Sequence, residues 1–541
     1  MAKIYKTPGV YIEERSAFPN SVVPVATAVP AFIGYTQKAI RDTQSLLNKP
    51  TKISSYGEYL MFFGGAPVTT LSLAESDADD VPYALTIKST NFSLHSQMKM
   101  FFSNGGTDCY IVSVGSYDST FSYDALKQGI ELLLKEPEPT ILVIPDAATC
   151  TTSPEQTTEL HSVYVAMHQH CGVDMRSRFA ITDVWMDRAK YLTEGYNMQE
   201  DVVRFREGIG TNNLQWGATY FPWVHTTAVS PDEVNLLNLD ELGAEVDIIP
   251  FDDVDFKGEQ LDTVADPATF ATKYISRSVN SLTTLLDKSL NQDVLDGLMK
   301  RGRAAEIKEQ VITGIPALRS IDQAEIDASA KKLDQLLLAV SPTYKSLMND
   351  VRKELNLLPV GAAMAGIYSM VDHTTGVFQS PANVSVGSVV KPAVNISNEQ
   401  QEDLNIPFDG KAVNAIRAFP GRGVLVWGAR TLDGNSQDWR YISVRRTMIF
   451  IEQSIKNAVE PYAFEPNTAS TWTIVKASIS DFLTNLWNAG ALAGAAPADA
   501  FSVDVGLGTT MTATDILDGY MRINVKVAVT RPAEFIVINI E

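Results

Sequence analysis

Hydrophobic and polar positions follow different rhythms along this chain, and the changes of rhythm divide it into segments. In residues 1–30, Pro8, Pro19, Pro24 and Pro30 interrupt β-formers such as Val10, Tyr11, Ile12, Val22, Val23 and Val25. Proline excludes helix and is tolerated in strands only at edges and starts, so an extended arm with short strands between kinks is expected.

From Ala31 to Val224 the pattern is globular. AFIGY reads as a strand, SSYGEYLMFFGG as a short helix ending in glycines, HSQMKMFFSNGG as a helix stopped by Gly105 and Gly106, and CYIVSV as the next strand. The apolar runs TILVIPDA, RFAITDVW and GATYFPWV alternate with the helical stretches DALKQGIELLLK and EQTTELHSVYVAMHQH. That alternation predicts an α/β core with a largely buried sheet.

Between residues 225 and 355 the apolar residues take helical spacing, at Val279, Leu282, Leu286 and Leu290 and again at Ile326, Ala330, Leu333, Leu337 and Val340. A mainly helical inserted domain is expected. Residues 356–527 return to the core, with strand signals at GAAMAGIYSMVD and two amphipathic helices. One helix carries Met448, Ile451, Ile455 and Val459, with Glu452 and Lys456 as an i,i+4 pair; the other carries Trp472, Val475, Ile479, Phe482 and Leu486. Toward the end, Ile523, Val525, Val527 and Val529 alternate with polar or small residues as in a half-buried strand, which Arg531 and Pro532 break. A second apolar strand, EFIVINIE, occupies the arm at 528–541. Such a strand is an aggregation hazard unless its edge is paired, either in its own sheet or in a neighbour's.

Composition narrows the functions. The chain has 541 residues, 45% of them hydrophobic, with 44 basic and 64 acidic residues and a net charge of −20, which disfavours direct nucleic-acid or anionic-membrane binding. The start, MAKIYKTPGVYIEE, lacks the apolar core of a secretory signal, and no stretch approaches the roughly 20 apolar residues of a spanning helix, so a cytosolic protein without membrane insertion is expected. Cys109, Cys150 and Cys171 have no CxxC spacing and read as reduced, buried thiols.

Candidate chemistry is sparse. His161, His168, His170 and Cys171 lie close together on one expected helix, but only His168 and Cys171 share a face, and Gly172 is expected to end the helix there. Zinc needs three or four convergent ligands, so no metal is assigned. The acidic run FDDVDFKGEQLD resembles a calcium loop through Asp253, Asp255 and Gly258, yet Lys257 and Val264 stand where oxygen ligands are required. No phosphate-binding loop, nucleophile elbow or HExxH motif occurs, so neither a cofactor nor a catalytic residue is assigned.

One ordered series of motifs carries more information. TPGVYIEE, AVPAFIG and FFSNGGTDCYIV are followed by GVFQSPANV, VNAIRAFPGRGVLVWGARTL, RYISVRRTMIFIEQSI, FEPN, LWNAGALAG and RPAEFIVINI. In order and spacing these pieces resemble the tail sheath family of contractile phages, R-type pyocins and extracellular contractile injection systems. Where that family commonly has an arginine before the glycine and a tryptophan after it, HTTGVF has Thr375 and Phe378. The resemblance implies an α/β (α+β) sheath core with extended N- and C-terminal β arms, the helical insertion facing outward. It also implies a non-enzymatic structural subunit that forms stacked hexameric rings around an inner tube and contracts without nucleotide.

Several residue roles follow from the resemblance. Pro8, Gly9, Val10, Tyr11, Ile12 and Glu13 in one arm, and Arg531, Pro532, Phe535, Ile536, Val537 and Ile538 in the other, would join neighbouring subunits by β-augmentation. Arg445, Arg446, Lys456 and Lys476 are candidates for a releasable contact with the inner tube. Implied partners are copies of the chain itself, the tube protein, baseplate and terminal cap proteins, and sheath paralogues. A non-contractile shell or surface-layer subunit would have similar arms, and an α/β enzyme with swapped termini is a third reading.

Overall fold

In the computed structural model, which describes residues 22–75, 83–191, 196–235, 238–239, 338 and 342–535, the apolar run Pro30–Thr36 forms a strand with every residue buried. This strand, β1, lies inside an eight-stranded sheet. Its other members are β2 (Thr51–Ile53), β3 (Cys109–Ser116), β4 (Ile141–Val143), β5 (Phe179–Asp183), β6 (Gly217–Phe221), β7 (Asn414–Phe419) and β8 (Gly423–Trp427). They lie in the order β8-β7-β6-β5-β4-β1-β3-β2. The inner strands pair in parallel, and β2 and β8 close the edges antiparallel. Strands covered on both faces can be apolar throughout, which is why TILVIPDA and GATYFPWV show no alternation.

Helices cover both faces. Helix α1 (Leu94–Ser103) packs Phe101 edge-on against Phe32 of β1, with ring centroids 5.1 Å apart. On the opposite side, α2 (Tyr123–Leu132) approaches so closely that a Cβ on Gly129 would lie 2.6 Å from Ile33. Helix α3 (Thr157–Gln169) sends the Tyr164 hydroxyl to the carbonyl of Asp183, 3.0 Å away at the end of β5. The strands, these helices and the residues around them form the compact unit Ala28–Thr374 with Ser380–Ile442.

Two local expectations are corrected. GAAMAGIYSMVD is not a strand but helix α4, Gly361–Thr374, buried along nearly its whole length. Its Tyr368 hydroxyl meets that of Tyr220 on β6 at 2.8 Å, and a Cβ on Gly366 would lie 2.4 Å from the carbonyl oxygen of Phe101, so small residues let α4 nest on α1. A helix buried all round shows no amphipathic period and imitates a buried strand. Gly172 likewise does not end its helix: α3 continues through a π turn, His170–Met175, and Arg176 takes the left-handed conformation that stops it. Gly172 is required by space, since a Cβ there would sit 2.7 Å from Trp216.

The second compact unit comprises Met1–Thr27, Thr375–Gln379 and Ser443–Glu541. Its core joins Ile451 and Phe450 of helix α5 (Ile442–Val459) to Val475, Ile479, Phe482 and Leu483 of helix α6 (Ala469–Asn488). The expected apolar faces meet here, with Phe450 and Phe482 rings 5.9 Å apart. Strands β9 (Phe501–Val505) and β10 (Ile523–Val527) form an antiparallel pair against that core. Ile523, Val525, Val527 and Val529 face it, while Asn524 and Lys526 are exposed.

Of the expected helical insertion, Val279–Leu290 and, apart from Leu338, Ile326–Val340 lie outside the described residues, as does the acidic run 251–262. Its described parts include the strand Val224–Thr226 and the helix Pro342–Leu355.

Candidate functional site

The sheet has a topological switch point, because the chain leaves β1 for β3 on one side and returns to β4 on the other. In open doubly wound sheets the crevice beyond the strand ends at such a point is the usual ligand site. Here the chain fills it with its own carboxylate. Asp146, immediately after β4 and fully buried, accepts from Tyr35 N at 2.7 Å, Ser93 N at 2.8 Å, Leu94 N at 3.0 Å and Ser93 Oγ at 3.2 Å. These donors include the first turn of α1, where an anion is favoured by unpaired N–H groups and the helix dipole. A Cβ on Gly34 would lie 2.5 Å from Asp146 Oδ2, which explains the glycine inside β1.

A second carboxylate repeats the arrangement at the end of β5. Asp183 accepts from Val360 N at 3.1 Å and Gly361 N at 3.2 Å, at the start of α4. Burial raises the Asp146 carboxyl to about 6 and that of Asp183 to about 7, with the backbone donors opposing part of the rise. Neither aspartate was singled out from sequence. The available signal was an acidic residue at the end of an apolar strand, as in TILVIPDA and RFAITDVW, but sequence does not say which helix start each one meets.

The histidine and cysteine cluster spreads into separate environments. His161 packs edge-on against Phe205 with centroids 5.8 Å apart, and His168 lies against Gly217, whose hypothetical Cβ would come within 2.2 Å of its ring. His170 Nε2 faces Arg178 Nη1 at 2.5 Å, which requires an unprotonated acceptor nitrogen. Arg178 is buried and also donates to the carbonyls of Pro139, Leu133 and Glu136, so it ties the end of α2 to β5. Burial lowers His161, His168 and His170 to about 4. Among the described residues no three His, Cys, Asp or Glu side chains converge as a metal site. The three cysteines are free and buried.

The second compact unit holds the roots of both terminal segments. At one root, Val22 lies in its core, Val25 N donates to Ser454 Oγ at 3.2 Å, and Arg446 Nη2 donates to the carbonyl of Thr27 at 2.9 Å. At the other, β10 continues to Thr530, whose N–H reaches the carbonyl of Ala491 at 3.1 Å. Arg531 to Phe535 then run without helix or strand, and Phe535 is 66% exposed. Beside these roots, β9 and β10 pair only with each other among the described residues. Pro8, Gly9, Val10, Tyr11, Ile12, Glu13, Ile536, Val537 and Ile538 lie outside the described residues.

The four candidate cations for the tube contact lie in different environments. Arg445 and Arg446 are each only 4% exposed. Arg445 pairs with Glu452 at 3.2 Å, replacing the expected pair with Lys456, and burial lowers its affinity for a proton. Arg446 is covered by the segment around Thr27. Lys456 is exposed, and Lys476 is exposed with Asp504 at 4.0 Å. Long aliphatic stems let arginine enter a core, so a charged pair in sequence does not mark a wet face.

Comparison with known proteins agrees with this architecture. Residues 435–541 match the family model described as phage tail sheath C-terminal domain. The tail sheath protein of Vibrio phage KVP40 is 23% identical over 154 residues, covering 28% of this chain and 22% of the relative's length. Three-dimensional likeness is wider. The anti-feeding prophage baseplate, solved with six-fold symmetry, aligns over 99% of both chains with a TM-score of 0.54 and 24% identity. The contracted sheath complex of PVC, an extracellular contractile injection system, covers 100% of this chain and 98% of its own, with a TM-score of 0.56 and 23% identity. The contracted helical sheath of the anti-feeding prophage covers 99% of both, with a TM-score of 0.55 and 24% identity. Residues 435–541 thus match the phage tail sheath C-terminal domain, and along its length the chain has the fold of contractile sheath proteins.

Proposed function

We propose that this chain is the structural subunit of a contractile sheath that polymerises as stacked hexameric rings around an inner tube and drives that tube through a target envelope. The observation that carries the reading is the two-stranded sheet whose strands pair only with each other among the described residues, beside the roots of both terminal segments. Open edges offer rows of unpaired N–H and C=O groups, and an apolar strand such as EFIVINIE is what such an edge accepts. Each ladder hydrogen bond contributes only about 0.5–1.5 kcal/mol, so one exchanged strand is modest, but a mesh through every subunit is hard to break.

Contraction in this reading is a rigid-body movement of the compact units, with the arms bending at Pro8 and Gly9 and at Arg531 and Pro532 so that the strands stay paired. The energy is stored during assembly in a kinetically trapped form. The self-filled crevice at Asp146 supports a subunit that works without catalysis or a bound cofactor. Partners are neighbouring copies, the tube, baseplate and terminal cap proteins, and assembly takes place in the cytosol. No helix among the described residues is long and apolar enough to cross a membrane. Of the four cations considered for the tube contact, Lys456 and Lys476 are the exposed ones, so K456E/K476E is expected to weaken assembly on tubes while leaving the fold intact.

Negative-stain microscopy of the purified chain tests the reading. Hollow tubes are expected from the full chain, and removal of Arg531–Glu541 is expected to prevent them. Tubes from the truncated chain would refute strand exchange, and a full chain that stays monomeric would refute the sheath itself.

A further inference from the structure

Two surface features on different compact units have complementary chemistry. The first is the turn after α5. Phe464 has φ +71°, a costly state for a side chain with a Cβ, and its ring is fully exposed. Among the described residues the ring joins neither hydrophobic core. Its neighbours Glu460 and Glu465 are exposed and form no ion pair among the described residues. The turn therefore presents an aromatic knob flanked by carboxylates.

The second feature is an aromatic and cationic face of the β7–β8 hairpin, running from its turn back along both strands. Phe419 and Trp427 lie with ring centroids 4.6 Å apart. Arg417 sits 5.5 Å over Phe419, and Arg422 lies 5.7 Å from both rings. The hydrogen-bond partners of these guanidiniums are amides: Asn398 Oδ1 at 3.0 Å and Gln401 Oε1 at 2.6 Å for Arg417, and Asn383 Oδ1 at 2.5 Å for Arg422. Neither meets a carboxylate among the described residues, although the chain carries 64 acidic residues. Stacked guanidiniums keep their fork of donors open to an incoming carboxylate.

We propose that the Phe464–Glu465 turn of one copy seats on the hairpin face formed by Arg417, Phe419, Arg422 and Trp427 of a second copy. Glu465 pairs with Arg422, and the Phe464 ring packs against the half-buried Phe419 and Trp427 rings and the guanidiniums stacked on them, a contact of the kind that dominates interface energetics. Knob and socket are different surfaces, so the contact is heterologous: each copy uses its knob on one neighbour and its socket on another. Such contacts close into rings or continue as helices, as a sheath requires. The inference rests on the polymerising reading above.

Sedimentation of the full chain without tube protein, with negative stain as control, tests the contact. Gly fits φ +71°, so F464G is expected to melt no lower than wild type, yet to raise the concentration needed for polymer about tenfold, the effect of losing a hot-spot side chain. R422E and E465R are each expected to weaken polymer similarly, and R422E/E465R to restore it to within about threefold, because exchanged charges attract again. Wild-type polymerisation by F464G, or a double variant no better than its single parents, overturns the contact while leaving the sheath reading intact. Variants that polymerise alone but fail only on tubes also overturn it, by assigning the turn to the tube. A wild-type chain that does not polymerise overturns both proposals.

Discussion

At Asp146 three backbone N–H groups and one hydroxyl converge on a single buried carboxylate, and at Asp183 two N–H groups do the same. Removing either acceptor strands donors that water cannot reach. D146A is therefore expected to cost about 3–6 kcal/mol and D183A about 2–4 kcal/mol, read as a lower urea midpoint at unchanged slope. The same residues bear on pH. Their folded carboxyls are raised from 3.8 to about 6 and about 7, so the stability they contribute is full below about 3.8 and is lost as pH rises through 6–7. Histidine acts in the opposite sense. His95, His161, His168, His170 and His225 are each lowered from 6.5 to about 4, chiefly by burial, so their contribution is full above 6.5 and is lost as pH falls toward 4. Five groups oppose two, and the melting temperature is expected to fall between pH 7 and pH 5. A rising melting temperature over that range would mean that the aspartates dominate.

Elements show where packing overrides pattern. Helix α4 carries Gly361, Ala362, Ala363, Ala365 and Gly366, in which alanines favour helix and glycines oppose it, and its small side chains let it pack closely on α1. Alanine favours helix over glycine by about 1 kcal/mol, but at Gly366 its Cβ would press on a backbone carbonyl that cannot move freely. G366A is expected to lose about 1–3 kcal/mol through overpacking, the reverse of the propensity effect, and thermal unfolding gives the sign directly. Helix α5 makes the same point with charge. Arg446 lies buried against the Thr27 carbonyl while Lys456 is exposed on the same helix. R446A is expected to cost about 1.5–3 kcal/mol, as for a hydrogen bond to a charged group, and K456A to stay within about 0.5 kcal/mol.

For the whole molecule, the proposed sheath reading gives the arms a role in assembly. On that reading the amino-terminal arm joins subunits, so deletion of residues 1–21 is expected to abolish tube formation in negative stain. Tubes from that truncated chain would show the amino-terminal arm to be dispensable. Sequence alone determined a good deal here: buried strands at Pro30–Thr36 and Phe179–Asp183, the apolar faces of α5 and α6, and the alternation of β10. Those features follow from short-range rules, because chain geometry fixes which neighbouring residues share a face. The strand order, the helical state of Gly361–Thr374, the burial of Arg445 and Arg446 and the two carboxylates at helix starts were decided only by tertiary structure. Each depends on what a distant segment places beside the residue. Asp146 meets α1 across 52 residues and Asp183 meets α4 across 177, separations at which no local pattern names the partner.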